Sequence, residues 1–388
     1  MEEQITNPHK KSHKRLISNI IFLILISILV VTLILSLGEI NKISQQFQQI
    51  ASGDNWKYLL IAIGLMLVYF FLWPASQCIY GKALKIEATV GESYLIGCSE
   101  HFYNGITPFA AGGQPFQIYS YTKRNVTTAK ATGVILASFV TFMLVTNAFM
   151  LVSLPFYPQI SAGFEKMNIG FIKYVALVGL IINFLVLLFM IVVGVSKHLR
   201  NGLTKLFNKI ANWKFFFKKE KGLRRKIGEA LKKSIPSFEE YCNNAQTAFK
   251  ETWTHKWATF FAILIKIIAM AAYYMIPFFI LKAVGLDVGY EKLILVLFST
   301  SFAINAVVWV PTPGGVGGIE YAFIIVIAAV TTAVQSDVNA AVLIWRMLTY
   351  YLILFISFGA NAIFEGISSH RINKETKEKG ISSETPNE

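Results

Sequence analysis

Apolar residues run in blocks far longer than a soluble helix needs, and the polar residues collect between them. Crossing a bilayer as a helix takes about 20 mostly apolar residues. Six blocks qualify: 16–38, 58–80, 129–154, 172–195, 257–281 and 339–365. Two further apolar stretches, 292–310 and 319–334, flank a loop from Pro311 to Gly318, and a patchily apolar region, 92–118, breaks at Thr107-Pro108. The pattern predicts an all-α integral membrane protein with about six to eight transmembrane helices plus re-entrant Gly/Pro-rich hairpins.

Composition agrees: 54% of the 388 residues are hydrophobic and 15% charged, where a soluble domain carries about a quarter. The formal charge of +14 raises the question of nucleic acid. The basic residues flank apolar blocks, however, so the positive-inside rule accounts for them and no nucleic-acid partner is expected. Cys78, Cys98 and Cys242 form no C-x-x-C pair, and the histidines lack metal-ligand spacing, so neither a metal nor a cofactor is expected. Lys10, Lys11, Lys14 and Arg15 precede an apolar run too long for a signal peptide, which predicts an uncleaved first membrane helix.

Lys and Arg also orient the chain. Segment 196–256 holds fifteen of them against five Glu, whereas 39–57 and 155–171 hold two and one. The expected order is a cytoplasmic N-terminus (1–15), a first membrane half (16–195), a basic cytoplasmic linker (196–256), a second half (257–365) and a disordered cytoplasmic tail (366–388) in the cell membrane. Hairpin 92–118 is expected to be re-entrant, and 292–334 to span or re-enter. Within the linker, Leu223, Ile227, Leu231 and Ile235 recur at helical spacing among basic residues. Such a stretch suits either an anionic leaflet or a solvated face.

The halves repeat where the pattern is least regular. Thr107-Pro108-Phe109-Ala110-Ala111-Gly112-Gly113 and Thr312-Pro313-Gly314-Gly315-Val316-Gly317-Gly318 share T-P-x-small-x-G-G, 205 residues apart. Pro74 and Pro277 lie 34 and 36 residues before Pro108 and Pro313, each in an aromatic-rich helix, and Asn104 and Asn305 also lie upstream. With the topology above, equivalent helices run in opposite directions: an inverted repeat, the plan of many secondary transporters.

Glycine and proline inside lipid leave backbone groups unpaired unless they line a wet cavity or are buried in protein. Helices starting after such loops aim free N–H groups at an anion. Thr107, Pro108, Gly112, Gly113 and Gln114, with Thr312, Pro313, Gly314, Gly315, Gly317 and Gly318, are therefore candidates to cradle a lipid phosphate. Glycines that only let helices pack closely are the plainer alternative. Arg346, about 10 Å into its helix, is a candidate to bind the phosphate or pair with Glu320. Glu320 in turn suits capping its helix or carrying a proton. Glu100, His101, Asn104 and Asn305 are further candidates for proton or head-group contacts, and Lys266 is expected to snorkel toward the cytoplasmic side. No P-loop, nucleophile elbow or metal motif is present, so a translocase is expected rather than an enzyme.

Ile106 through Tyr119, Pro311 through Glu320, and Trp345-Arg346-Met347-Leu348-Thr349-Tyr350-Tyr351 resemble the lysylphosphatidylglycerol synthase transmembrane-region family, also known as the flippase-like membrane domain of the multiple peptide resistance factor. The resemblance covers about 16–365. It implies outward flipping of an aminoacylated lipid and resistance to cationic peptides. Full-length members add a cytosolic lysyl-transferase domain; here only 366–388 follow the last block, so lysyl transfer by this chain alone is not expected. The reading that follows is a flippase for a phospholipid or glycolipid such as lysyl-phosphatidylglycerol. Two alternatives stay open: a membrane component of phosphatidylglycerol lysyltransferase activity needing a separate partner, and a scaffold recruiting a cytosolic lipid-modifying enzyme through 196–256.

Overall fold

The computed structural model describes residue 50 and residues 55–107, 110, 112–166, 172–213, 223–308, 312–315, 317–330 and 335–378. The expected first helix, 16–38, lies outside them. The described chain is helical. Five helices are long and apolar enough to cross a membrane, or six with the pair Leu177–Val192 and Lys197–Ala211, bent by 91°. Leu60, Leu177, Phe184, Phe260, Ile268 and Phe355 stay exposed, an outward apolar surface that only lipid tolerates on this scale.

In the first half, α1 (Trp56–Leu72) and α2 (Ala75–Ala83) are one span broken at Trp73-Pro74, because proline removes a helix hydrogen bond and clashes with the preceding turn. Next come α3 (Val90–Ile106) and α4 (Gly113–Thr122), then the long α5 (Thr128–Ser153). The 155–171 loop contains a short helix, α6 (Tyr157–Lys166), and α7 (Ile172–Val195) completes the half.

Three helices fill the linker. Basic α8 (Lys197–Ala211) turns sharply away from α7, followed by α9 (Leu223–Lys233) and α10 (Ile235–Thr254). The amphipathic stretch divides at Ser234, where Pro236 fits the first turn of a new helix, so Ile235 belongs to α10. That helix packs along α5, with Ala248 against Gly133 and Phe249 against Gly194.

The second half has α11 (Lys256–Ala283), unbroken despite Pro277, then α12 (Leu293–Val307) and α13 (Gly318–Val330). It ends with α14 (Gln335–Arg346), one π-helical stretch (Met347–Leu352) and α15 (Ile353–Glu378). The tail expected to be disordered from 366 is thus helical as far as Glu378. Its first turns are anchored by Lys123 on Glu365 (2.8 Å) and Arg124 Nη2 on Ser368 (2.8 Å).

Packing follows the repeat with the halves exchanged. The counterparts α1 and α11 lie against each other, α3 packs on α15, and its counterpart α12 packs on α5. Both helix pairs after the long spans are hairpins with closed mouths. Glu92, at the start of α3 and in a capping box with Thr89, pairs with Arg124 just past α4 at 3.2 Å. Lys292, before α12, donates to the Val330 carbonyl at the end of α13 at 2.7 Å. The arms hold 17, 10, 15 and 13 residues, and the third belongs to Tyr290–Val307, one of the five helices of membrane length. Their tips meet at Tyr350, which donates to the Gly105 carbonyl at 3.0 Å and lies against Gly314. The two hairpins thus meet tip to tip.

Candidate functional site

A cavity of about 640 Å³ opens where the tips meet, walled by α3, α4, α5, α7, α11, α12 and the Arg346 region. Its lining is mostly apolar, with Phe139, Phe142, Met143 and Met270 among the walls, and it gathers Glu100, His101, Asn104, Gln114, Asn305 and Arg346. These residues, scattered over 247 positions of sequence, share one space. Thr312, Gly314 and Gly315 also line it, whereas Thr107, Gly112, Gly113, Gly317, Gly318 and Glu320 stand behind the lining. Pro108 lies outside the described residues.

The first glycine loop is closed on itself. Thr107 Oγ1 donates to the Tyr103 carbonyl (2.7 Å) and accepts from the Gly112 N–H (2.9 Å), while Asn104 Oδ1 accepts from the Gly113 N–H (2.9 Å). Pro115 has no N–H to offer. The expected amide cradle is therefore largely occupied by the protein's own acceptors, because threonine and asparagine one turn upstream reach the orphan donors first. Gly113 lets the loop close on these side chains: a Cβ would sit 2.5 Å from Asn104 Oδ1 and 2.7 Å from Glu100 Cγ, so both would have to shift.

Glu100 is the polar centre of this wall. One oxygen accepts from Trp73 Nε1 (2.8 Å) and Gln117 Nε2 (3.2 Å), the other from Asn104 and Gln114 at 3.4 Å each. Gln117 also reaches Gln77 Oε1 (2.9 Å), and Gln77 donates to Tyr121 Oη (2.9 Å). His101 rests on Trp73, ring centroids 4.8 Å apart, and its Nε2 finds no hydrogen-bond partner among the described residues. Lys266 does not snorkel: it is 1% exposed. Its ammonium donates to the Trp73 carbonyl (2.9 Å), which the Pro74 break leaves accessible, and lies 3.8 Å from the centre of a Trp73 ring. Cation–π contact and hydrogen bond together hold a charge whose burial alone is costly.

Arg346, buried at the end of α14, also lines the cavity; it pairs with Glu320 (Nε to Oε1, 2.9 Å), donates from Nη2 to the Gly314 carbonyl (3.1 Å) and stacks over Tyr350 at 4.5 Å. The Nε–Oε1 approach is close but out of line, so neither atom has a hydrogen bond there. Glu320 Oε2 accepts from the Gly317 N–H (2.7 Å), half of a capping box at the start of α13. It serves both roles expected of it, cap and counter-ion. Asn305 is held from the side: Asn183 Nδ2 of α7 donates to its carbonyl at 2.6 Å.

Sequence reading missed Trp73, Gln77, Gln117, Asn183 and Tyr350. The signal for Gln77, Gln117 and Asn183 was polarity within membrane-length segments. Tyr350 lay in a stretch that carries the family resemblance, and Trp73 stood beside the helix-breaking Pro74, but neither aromatic ring stands out in a chain with so many.

A family model described as "Lysylphosphatidylglycerol synthase TM region" matches residues 20–357. An uncharacterized protein of Mycoplasma pneumoniae is 24% identical over 86% of this chain and 83% of its own length. A UPF0104 membrane protein of Archaeoglobus fulgidus is 24% identical over 88% and 94%. An uncharacterized protein of Mycoplasma genitalium is 23% identical over 90% and 86%.

Proposed function

The chain belongs to the lysylphosphatidylglycerol synthase TM region family, and we propose that it is a lipid translocase rather than an enzyme. In this reading the polar head of a phospholipid or glycolipid crosses through the central cavity while the acyl chains remain in the bilayer. The observation that carries it is the cavity itself: about 640 Å³ at the meeting of two hairpin tips, mostly apolar in its lining, with Glu100 and Arg346 among the residues that line it. Sites for small ligands are commonly about 300–1,000 Å³ with a few placed polar groups. Arg346 contributes the positive charge for a phosphate, Glu320 and Tyr350 hold the guanidinium in place, and Gln114 offers an amide to the head. The hairpin pair suits alternating exposure of one central site, as in other inverted-repeat transporters. The Lys and Arg asymmetry supports a cell-membrane protein with both termini cytoplasmic.

The test is a liposome assay that follows quencher access to fluorescent phosphatidylglycerol, lysyl-phosphatidylglycerol and a glycolipid. Truncating one partner of a buried charge pair costs about 2 kcal/mol or more, so Arg346→Ala should slow translocation by roughly thirtyfold or greater. Arg346→Lys, which keeps charge but not the planar fork, should fall between. Wild-type rates in well-folded Arg346→Ala protein would remove the arginine from the mechanism.

A further inference from the structure

The charges around the cavity cancel. Glu100 and Arg346 line it, Glu320 stands behind Arg346 as its counter-ion, and Lys266 lies beside the Glu100 wall. Two acids and two bases leave no spare positive charge for an anionic head group, and an uncompensated charge is costly in a low-dielectric space. One of the carboxylates must give up its charge when a phosphate moves in.

Glu320 is poorly placed to do so. It is held by the Gly317 N–H and by Arg346, outside the cavity lining. Glu100 faces the cavity directly. Its partners are the neutral Trp73 indole and the amides of Asn104, Gln114 and Gln117. Asn104 is tied to the Gly113 N–H and Gln117 to Gln77, but the Gln114 amide carries an acceptor oxygen as well as donors, so turning it satisfies a protonated carboxyl as well as an ionised one. Lys266 and Glu100 also share a void of about 10 Å³ with Trp73, Gln114 and Gln117, room for about one water. The other titratable groups facing this wall are His101 of α3, Tyr69 of α1 and Tyr273 of α11; at neutral pH none of these adds a second carboxylate.

We infer that Glu100 is a proton-coupling site: it takes up one proton from water as an anionic lipid head group binds, leaving Lys266 and Arg346 to balance the phosphate. The step is a proton transfer to a Glu100 carboxylate oxygen, with no other bond made or broken. It rests on the translocase reading for its ligand. Head group and proton then bind cooperatively, and by linkage acidification tightens head-group binding.

The probe is dihexanoyl-phosphatidylglycerol, a soluble phosphate diester, added to detergent-purified protein. Proton uptake is read from a pH indicator in weak buffer, and affinity by calorimetry at pH 6, 7 and 8. Wild type should take up about one proton per bound lipid and bind up to about tenfold more tightly per pH unit of acidification. Glu100→Gln should show neither response, and Glu100→Asp, which keeps a titratable carboxyl, should retain both. Wild-type binding without proton uptake overturns the coupling and leaves the translocase reading standing. Proton uptake that survives intact in Glu100→Gln overturns the assignment to this residue. No binding by folded wild type overturns the inference and counts against anionic lipid as cargo. The wild-type arm decides the matter even where a variant fails to fold.

Discussion

Replacing Gly314 by alanine strikes the point where both hairpins and Arg346 come together. Gly314 has φ +61°, and a Cβ there would collide with the Tyr350 ring, with Cζ 2.5 Å and Oη 2.7 Å away. Left-handed backbone costs a non-glycine residue about 1–2 kcal/mol, and forcing an aromatic ring from a packed position costs about 1–3 kcal/mol more. The sum, about 2–5 kcal/mol, at about 2 °C per kcal/mol for a large domain, lowers the melting temperature by roughly 4–10 °C. Function should suffer beyond that, because Tyr350 also stacks on Arg346 and bonds Gly105 across the tips. The assay pairs thermal unfolding in detergent with the liposome measurement, for Gly314→Ala, Tyr350→Ala and the double variant. Tyr350→Ala removes the ring that the introduced methyl group would strike, so the two changes should be non-additive by about 1–3 kcal/mol. A Gly314→Ala variant melting within a degree of wild type, or strict additivity, would refute the tip contact as described.

Two further outcomes test the supports of the site. Asn183→Leu strips the Asn305 carbonyl of its donor within the membrane bundle and should destabilise by about 1–3 kcal/mol, seen as a lower melting temperature, with weaker head-group binding. Arg124→Ala removes the ion pair with buried Glu92 and the donor to Ser368. It should cost about 3–5 kcal/mol, and amide exchange should rise in α3 and the end of α15 while the Lys292–Val330 mouth stays protected.

Much of this architecture is legible without coordinates. Apolar runs of membrane length at 58–80, 129–154, 257–281 and 339–365 are helices because lipid permits a spanning segment little else. The two T-P loops mark hairpin tips because glycine and proline end helices wherever they fall. The pairing of Arg346 with Glu320 was legible as one of two expectations, since an intramembrane charge needs a partner.

What depended on tertiary structure was which groups meet. Thr107 and Asn104 occupy the amides that composition alone would assign to a phosphate, and only the fold of the loop decides between them. Lys266 and Glu100 lie 166 residues apart in sequence, and the contact between α11 and the first span, bent at Pro74, brings the ammonium to Trp73 rather than to the membrane surface. Sequence periodicity reports each helix's own surroundings; the pairing of distant tips is set by how two inverted halves close around a shared cavity.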